Sequence, residues 1–187
     1  MILLMGIAGS GKSMQGRLFA DEQGFAWLSM GELLRILVTG KRRHEMLRGK
    51  LLDDGEMIKI LDKVFDLINL SEQFVLDGFP RTVVQALWLL EQIKKDRLHV
   101  DVVINLIADQ NVVRKRLQTR GRRDDTDDAI KYRLEEHEVV TRPIIKLFKE
   151  QDLPVYDINA NQAPQAVHDA ILKHIKDLNI VTNDNEN

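Results

Sequence analysis

The chain has no cysteine. That excludes a disulfide framework and any cysteine-ligated zinc site, so no zinc is expected. It has no run of about 18 apolar residues, the length a membrane-crossing helix needs, so no membrane partner is expected. Lys12 interrupts the apolar stretch at the start, which reads as a strand and not as a secretory signal, and the cytoplasm is the default compartment. A net charge of -2 lacks the basic footprint of a nucleic-acid binder, so no nucleic acid is expected either. What remains is a soluble globular composition, 44% apolar and 30% charged over 187 residues, enough for one domain with a real core. Residues 1–178 read as that domain, with no internal repeat and no linker. Residues 179–187 are polar, lack period and read as a tail.

The most informative segment is Gly6-Ile7-Ala8-Gly9-Ser10-Gly11-Lys12-Ser13. It fills every position of the phosphate-loop pattern, and it follows an apolar run, Met1 to Met5. A buried strand delivers the chain to a glycine-rich turn, which then enters a helix. The backbone N–H groups of the turn and of the helix start can cradle a polyphosphate. Gly6, Gly9 and Gly11 suit a loop that needs positive φ and close backbone approach. Lys12, expected to be exposed before a ligand arrives, would reach the β- and γ-phosphates, and the Ser13 hydroxyl would sit on Mg²⁺. A second anchor is Phe74-Val75-Leu76-Asp77-Gly78-Phe79-Pro80-Arg81, where an apolar strand ends in a carboxylate that can hold the same ion or its waters.

Short apolar runs at 1–5, 26–29, 73–77, 101–107 and 154–158 predict strands. Residues 13–23, 31–38, 56–70, 83–94, 110–120, 127–150 and 164–178 carry apolar residues at helical spacing. This alternation predicts an α/β fold, a five-stranded parallel sheet with helices on both faces. Ligands of such sheets sit beyond the carboxyl ends of the strands, where Gly6 and Asp77 both fall.

At this point the chain resembles the adenylate kinase family of nucleoside monophosphate kinases, from Met1 to about Leu178. Four blocks carry the resemblance. They are the phosphate loop continued by Gln15, Leu28-Ser29-Met30-Gly31-Glu32-Leu33-Leu34-Arg35, Asp77-Gly78-Phe79-Pro80-Arg81-Thr82 with Gln85-Ala86, and Arg116 to Arg120 followed by Arg122, Asp124, Asp125 and Arg133. The resemblance implies a phosphate-loop NTPase-type fold with a helical monophosphate-binding insertion near 30–70. It also implies reversible transfer of the ATP γ-phosphoryl group to AMP, with Mg²⁺ as cofactor and ATP and AMP as partners; a monomer is expected as the working form. Such chemistry needs positioning and cationic stabilisation more than a covalent catalyst.

By the same resemblance, Lys12, Arg81, Arg120, Arg122 and Arg133 are the catalytic cations. ATP would be held by Gly9, Ser10, Gly11, Lys12, Ser13, Met14, Arg116, Arg120 and Gln162. AMP would be held by Met30, Arg35, Leu52, Gly78, Arg81, Gln85, Arg122 and Arg133, and the metal by Ser13 and Asp77. Gln85 lies about one helical turn beyond Arg81, and its amide carries both a donor and an acceptor for a base edge.

The chain also departs from the family pattern. Met30 replaces a threonine, Ala8 a proline, and Ser13-Met14 a Gly-Thr pair. Only Gly121, Arg122 and Arg123 separate Arg120 from Asp124, so the lid is expected to be vestigial, near 121–125. Met30 supports one alternative, a pyrimidine or broad-specificity monophosphate kinase. The short lid supports another, a nucleotide-binding regulatory or assembly protein with weak ATPase; Arg35, Arg81 and Gln85 stand against it.

Overall fold

Five apolar runs become five parallel strands: β1 (Ile2–Gly6), β2 (Ala26–Ser29), β3 (Phe74–Asp77), β4 (Val102–Ile107) and β5 (Val155–Asn159), ordered β2-β3-β1-β4-β5 across one sheet. The structure, a computed structural model, describes residues 1–176 and 178; the tail expected at 179–187 lies outside the described residues. Parallel neighbours need long crossovers, and helices supply them. These are α1 (Lys12–Gln23), α2 (Met30–Leu37), α3 (Gly40–Leu47), α4 (Asp54–Phe65), α5 (Val83–Lys94), α6 (Gln110–Arg120), α7 (Asp127–Glu136) and α8 (Arg142–Glu150), and α9 (Pro164–Lys176) follows the last strand.

β1 explains why both sheet faces are covered. Met1, Leu3 and Met5 join one buried cluster with Leu61, Leu89 and Phe148, while Ile2 and Leu4 join a second with Phe19, Ile171 and Ile175. A strand alternates its side chains between faces, so an unbroken apolar run can only be buried by helices on both. Each such fully buried aliphatic side chain stabilises the fold by about 1.5–3 kcal/mol. A third cluster packs Ile7 of the glycine loop against Val113 and Leu117 of α6 and Ile130 and Leu134 of α7. That contact fixes the loop relative to the two helices that carry the arginines.

The structure departs from sequence periodicity in three places. α4 begins at Asp54, earlier than expected, because the Asp53 carboxylate accepts bonds from the N–H groups of Gly55 (3.0 Å) and Glu56 (3.3 Å). It ends at Phe65, although Ile68 and Leu70 continue the apolar spacing and pack on the core from a loop. α3 was not expected at all. Finally, the predicted helix over 127–150 is interrupted by a five-residue π turn, His137–Thr141, in which the Arg142 N–H bonds back to the His137 carbonyl. Pro143 follows directly, without an N–H to offer Val139, and a regular helix cannot continue through that position.

Candidate active site

β1 ends at the glycine loop, and Gly6 is the reason the loop can turn there. Its φ is +131°, and a Cβ on it would lie 2.4 Å from the Leu106 carbonyl oxygen of the neighbouring strand. Gly9 and Gly11 are also at positive φ, and Gly11 leads directly into α1. The loop's N–H groups and the start of α1 together form an anion cradle.

Lys12 is not the free cation expected. Its ammonium folds back and donates to the carbonyls of Gly6 (2.7 Å) and Ile7 (2.8 Å). Loss of hydration holds its pKa down to about 8; Asp77 pulls the other way, and Arg81 and Arg120 add to the lowering. An anion entering the cradle would meet a cation already aimed by its own loop.

β3 carries Asp77 to the same crevice. Register places Asp77 beside Leu4 of β1 and Ser29 of β2. Its Oδ2 accepts from the Ser13 hydroxyl (2.6 Å) and the Ser29 hydroxyl (3.2 Å). Ser13 and Asp77 are thus within bonding distance of each other. Two hard oxygens are too few for an all-protein cage. They suit an ion that keeps water and phosphate in its shell, the habit of Mg²⁺.

Arg81 leaves β3 through Gly78, whose φ of +85° brings the backbone close to the start of α2. The Arg81 Nε donates to the Gly78 carbonyl (3.2 Å), and the Thr141 hydroxyl donates to the Arg81 carbonyl (2.9 Å). Burial lowers its pKa, and Arg133 and Arg35 add to this against the attraction of Asp77. The Gln85 amide accepts from the Arg81 N–H (2.8 Å) and donates to Asp54 (2.8 Å), and the residue is fully buried. Met30 and Leu52 are buried in the core cluster on one sheet face. Arg35 lies 3.4 Å from Glu32.

On the other side of the loop, Arg116 donates to the carbonyls of Ala160 (2.8 Å) and Gln162 (3.3 Å), so that Arg116 and Gln162, both expected at the donor site, are in contact. Ser10 is buried, and its hydroxyl has no partner among the described residues; Met14 is half-exposed. The residues between α6 and α7 then gather three arginines. Asp125 takes two bonds from Arg120 (2.8 and 2.6 Å) and one from Arg133 (3.3 Å), while Asp124 takes another from Arg133. The Arg122 N–H donates to Asp125 (3.1 Å) and its guanidinium reaches Glu32 (3.4 Å). Glu32 therefore touches both Arg35 and Arg122.

Between these groups runs a cleft lined by Gly6, Lys12, Gly78, Arg81, Arg133, Glu136, His137 and Thr141. Sequence reasoning did not single out the last three. Glu136 and His137 follow Arg133 by three and four residues, so helical spacing put them on its face. Burial raises the Glu136 pKa, opposed by Arg81 and Arg133. Burial pushes His137 down to about 4, with Lys12 contributing, and its Nδ1 has no hydrogen-bond partner among the described residues. A neutral imidazole in a cationic cleft leaves the positive charge to lysine and arginine.

A family model described as adenylate kinase matches residues 4–153. Among curated proteins, an adenylate kinase of Prochlorococcus marinus is 35% identical over 158 residues, covering 81% of this chain and 86% of its own. An adenylate kinase from a second strain of that organism is 33% identical, covering 93% and 97%. One from Corynebacterium urealyticum is 30% identical, covering 91% and 96%.

Proposed function

We infer the working of this cleft from one premise: the chain belongs to the adenylate kinase family. Its reaction is the reversible transfer of the γ-phosphoryl group of ATP to AMP, giving two ADP. The roles of individual residues are our proposal. The glycine loop and α1 hold the donor phosphates, and Lys12 turns from the Gly6 and Ile7 carbonyls to the β- and γ-oxygens. Arg116 and Gln162 flank the donor base. Ser13 and Asp77 hold Mg²⁺, which when bound neutralises charge on the donor phosphates. Arg35 and Arg81 hold the acceptor phosphate. Arg120, Arg122 and Arg133 exchange Asp124, Asp125 and Glu32 for the oxygens of the transferring group.

The observation that carries this reading is the shared cleft of Lys12, Arg81 and Arg133. Donor-side and acceptor-side cations face one small space, which is what direct transfer between two phosphates needs. A protein that only bound or slowly hydrolysed ATP would have no use for the acceptor-side pair. Residues 30–70 serve as the acceptor insertion and 121–125 as the lid remnant. No helix among the described residues is long and apolar enough to cross a membrane. A coupled assay of ADP formation, with Mg-ATP and AMP, GMP, CMP or UMP in turn, tests the reading. AMP should be the best acceptor; equal use of all four, or ADP formation indifferent to any acceptor, would overturn it.

A further inference from the structure

Gln85 ends in a primary amide, with two lone pairs on oxygen and two N–H groups on nitrogen. One of each is used inside the protein. Oε1 accepts from the Arg81 backbone N–H at 2.8 Å, and Nε2 donates to Asp54 Oδ1 at 2.8 Å. These partners fix which end is which. A backbone N–H cannot accept and a carboxylate cannot donate, so turning the amide over would set oxygen against oxygen and N–H against N–H. One lone pair and one N–H remain for a ligand.

The sense of that remaining edge matters. A 6-amino purine presents an amino donor beside a ring-nitrogen acceptor; a 6-oxo purine presents a carbonyl acceptor beside a ring N–H. The two patterns are inverse, and an amide held one way complements only one of them. We propose that Asp54 is a positioning residue that sets purine choice at the acceptor site, by locking the Gln85 amide in the sense that fits a 6-amino purine. The proposal rests on the reading that Gln85 meets the acceptor base.

Asp54 is itself held firmly. The Thr82 hydroxyl donates to its Oδ1 at 2.8 Å, and the same hydroxyl caps α5 by accepting from the Gln85 N–H at 3.2 Å. Asp54 opens α4, which is bound to α5 by the stacked Phe65–Trp88 pair, and Arg97 just beyond α5 pairs with Asp62 and Asp66. The lock and the residue it orients therefore sit on one packed unit. α3, in contrast, buries none of its residues. For a base to reach the buried amide, α3 and the residues flanking it would have to part from the site, leaving Asp54 in place on α4.

The test compares kcat/KM for AMP and for IMP, a 6-oxo purine without a second amino group, with Mg-ATP as donor. Asn at position 54 can turn either end toward Gln85, so Asp54→Asn should lower the AMP:IMP ratio about tenfold or more, the scale of one well-made base contact. IMP use should rise as AMP use falls. Damage to packing alone would lower both in proportion, so an unchanged ratio overturns the proposal. Asp54→Glu keeps an acceptor-only group and should keep the preference; if it proves as indifferent as Asp54→Asn, the lock is not the cause. Asp54→Ala provides the same reading should Asp54→Asn fail to fold. Gln85→Leu separates the two levels. If it erases the AMP preference while Asp54→Asn keeps it, the lock is wrong and the Gln85 reading stands; if it keeps the preference, the Gln85 reading itself fails.

Discussion

Lys12→Met should make the nucleotide-free protein more stable while abolishing its activity. An ammonium whose pKa falls from 10.5 to about 8 costs the folded chain about 3 kcal/mol for as long as it stays charged. Methionine has similar length and removes that cost. It leaves the Gly6 and Ile7 carbonyls without their donor, a loss of about 1 kcal/mol each. The net gain is about 1 kcal/mol, which for a chain of this length raises Tm by about 2–4 °C. Transfer should fall on the order of 10²-fold or more, because a preorganised cation is gone from the transition state.

The pH dependence gives a sharper signature. The folded pKa lies below the unfolded one, so between about pH 8 and 10.5 the unfolded chain binds more protons and wild-type stability rises with pH. Below that window the cost is fully present. Near its upper end wild type carries a neutral amine that still donates to the two carbonyls, and the variant should become the less stable protein. Urea unfolding of both proteins without nucleotide, at pH 7, 9 and 10, measures the difference. A variant already less stable at pH 7, or an offset constant across the series, would refute the argument that burial of this charge is a net cost.

Gly6→Ala should destabilise by about 3 kcal/mol or more, since a Cβ would meet the Leu106 carbonyl at 2.4 Å in addition to the positive φ. Gly11→Ala, where a Cβ meets nothing within 4 Å, should lose only the conformational part, about 1–2 kcal/mol; urea midpoints compare the two, and equal losses would refute the steric account. Arg122→Ala should lower turnover more than ATP affinity, because charge stabilisation matters most in the transition state. Steady-state rates beside equilibrium ATP titration separate the two effects, and unchanged turnover would remove Arg122 from the transfer step.

The strands were legible because two-sided burial leaves an uninterrupted apolar run, and all five runs became strands. Asp77 was legible because it stands at a strand's end, where a parallel sheet opens its crevice, whereas Arg81, four residues on, was named only by the family resemblance. α3 was hidden for the opposite reason: none of its residues is fully buried and Met46 alone leans on the core, so it has no apolar stripe to betray it. The end of α4 was overrun because Ile68 and Leu70 are recruited by the core from a loop, and periodicity cannot tell a packed loop from one more turn. The resting posture of Lys12 depends on two carbonyls whose direction only the folded loop decides. The hold of Asp54 on Gln85 joins residues 31 positions apart; no local spacing carries it. Glu136 and His137 could have been found by following Arg133 around its own helix.

The π turn at His137–Thr141 divides one long rod into two phases. Upstream of it, Arg133 and Glu136 are turned to the cleft; downstream, Ile144 and Phe148 are turned to the core and are fully buried. One residue advances an α-helix by about 100°. Excising a single residue from the turn would remove that offset and bring both halves into one phase, with Pro143 still denying the helix one N–H. With Ile144 and Phe148 anchored in the core, the upstream half would have to swing through that angle, carrying Arg133 out of reach of the cleft. The spare residue works like the offset between two gears on one shaft: it lets a greasy surface and a charged one be timed independently, though a single backbone carries both.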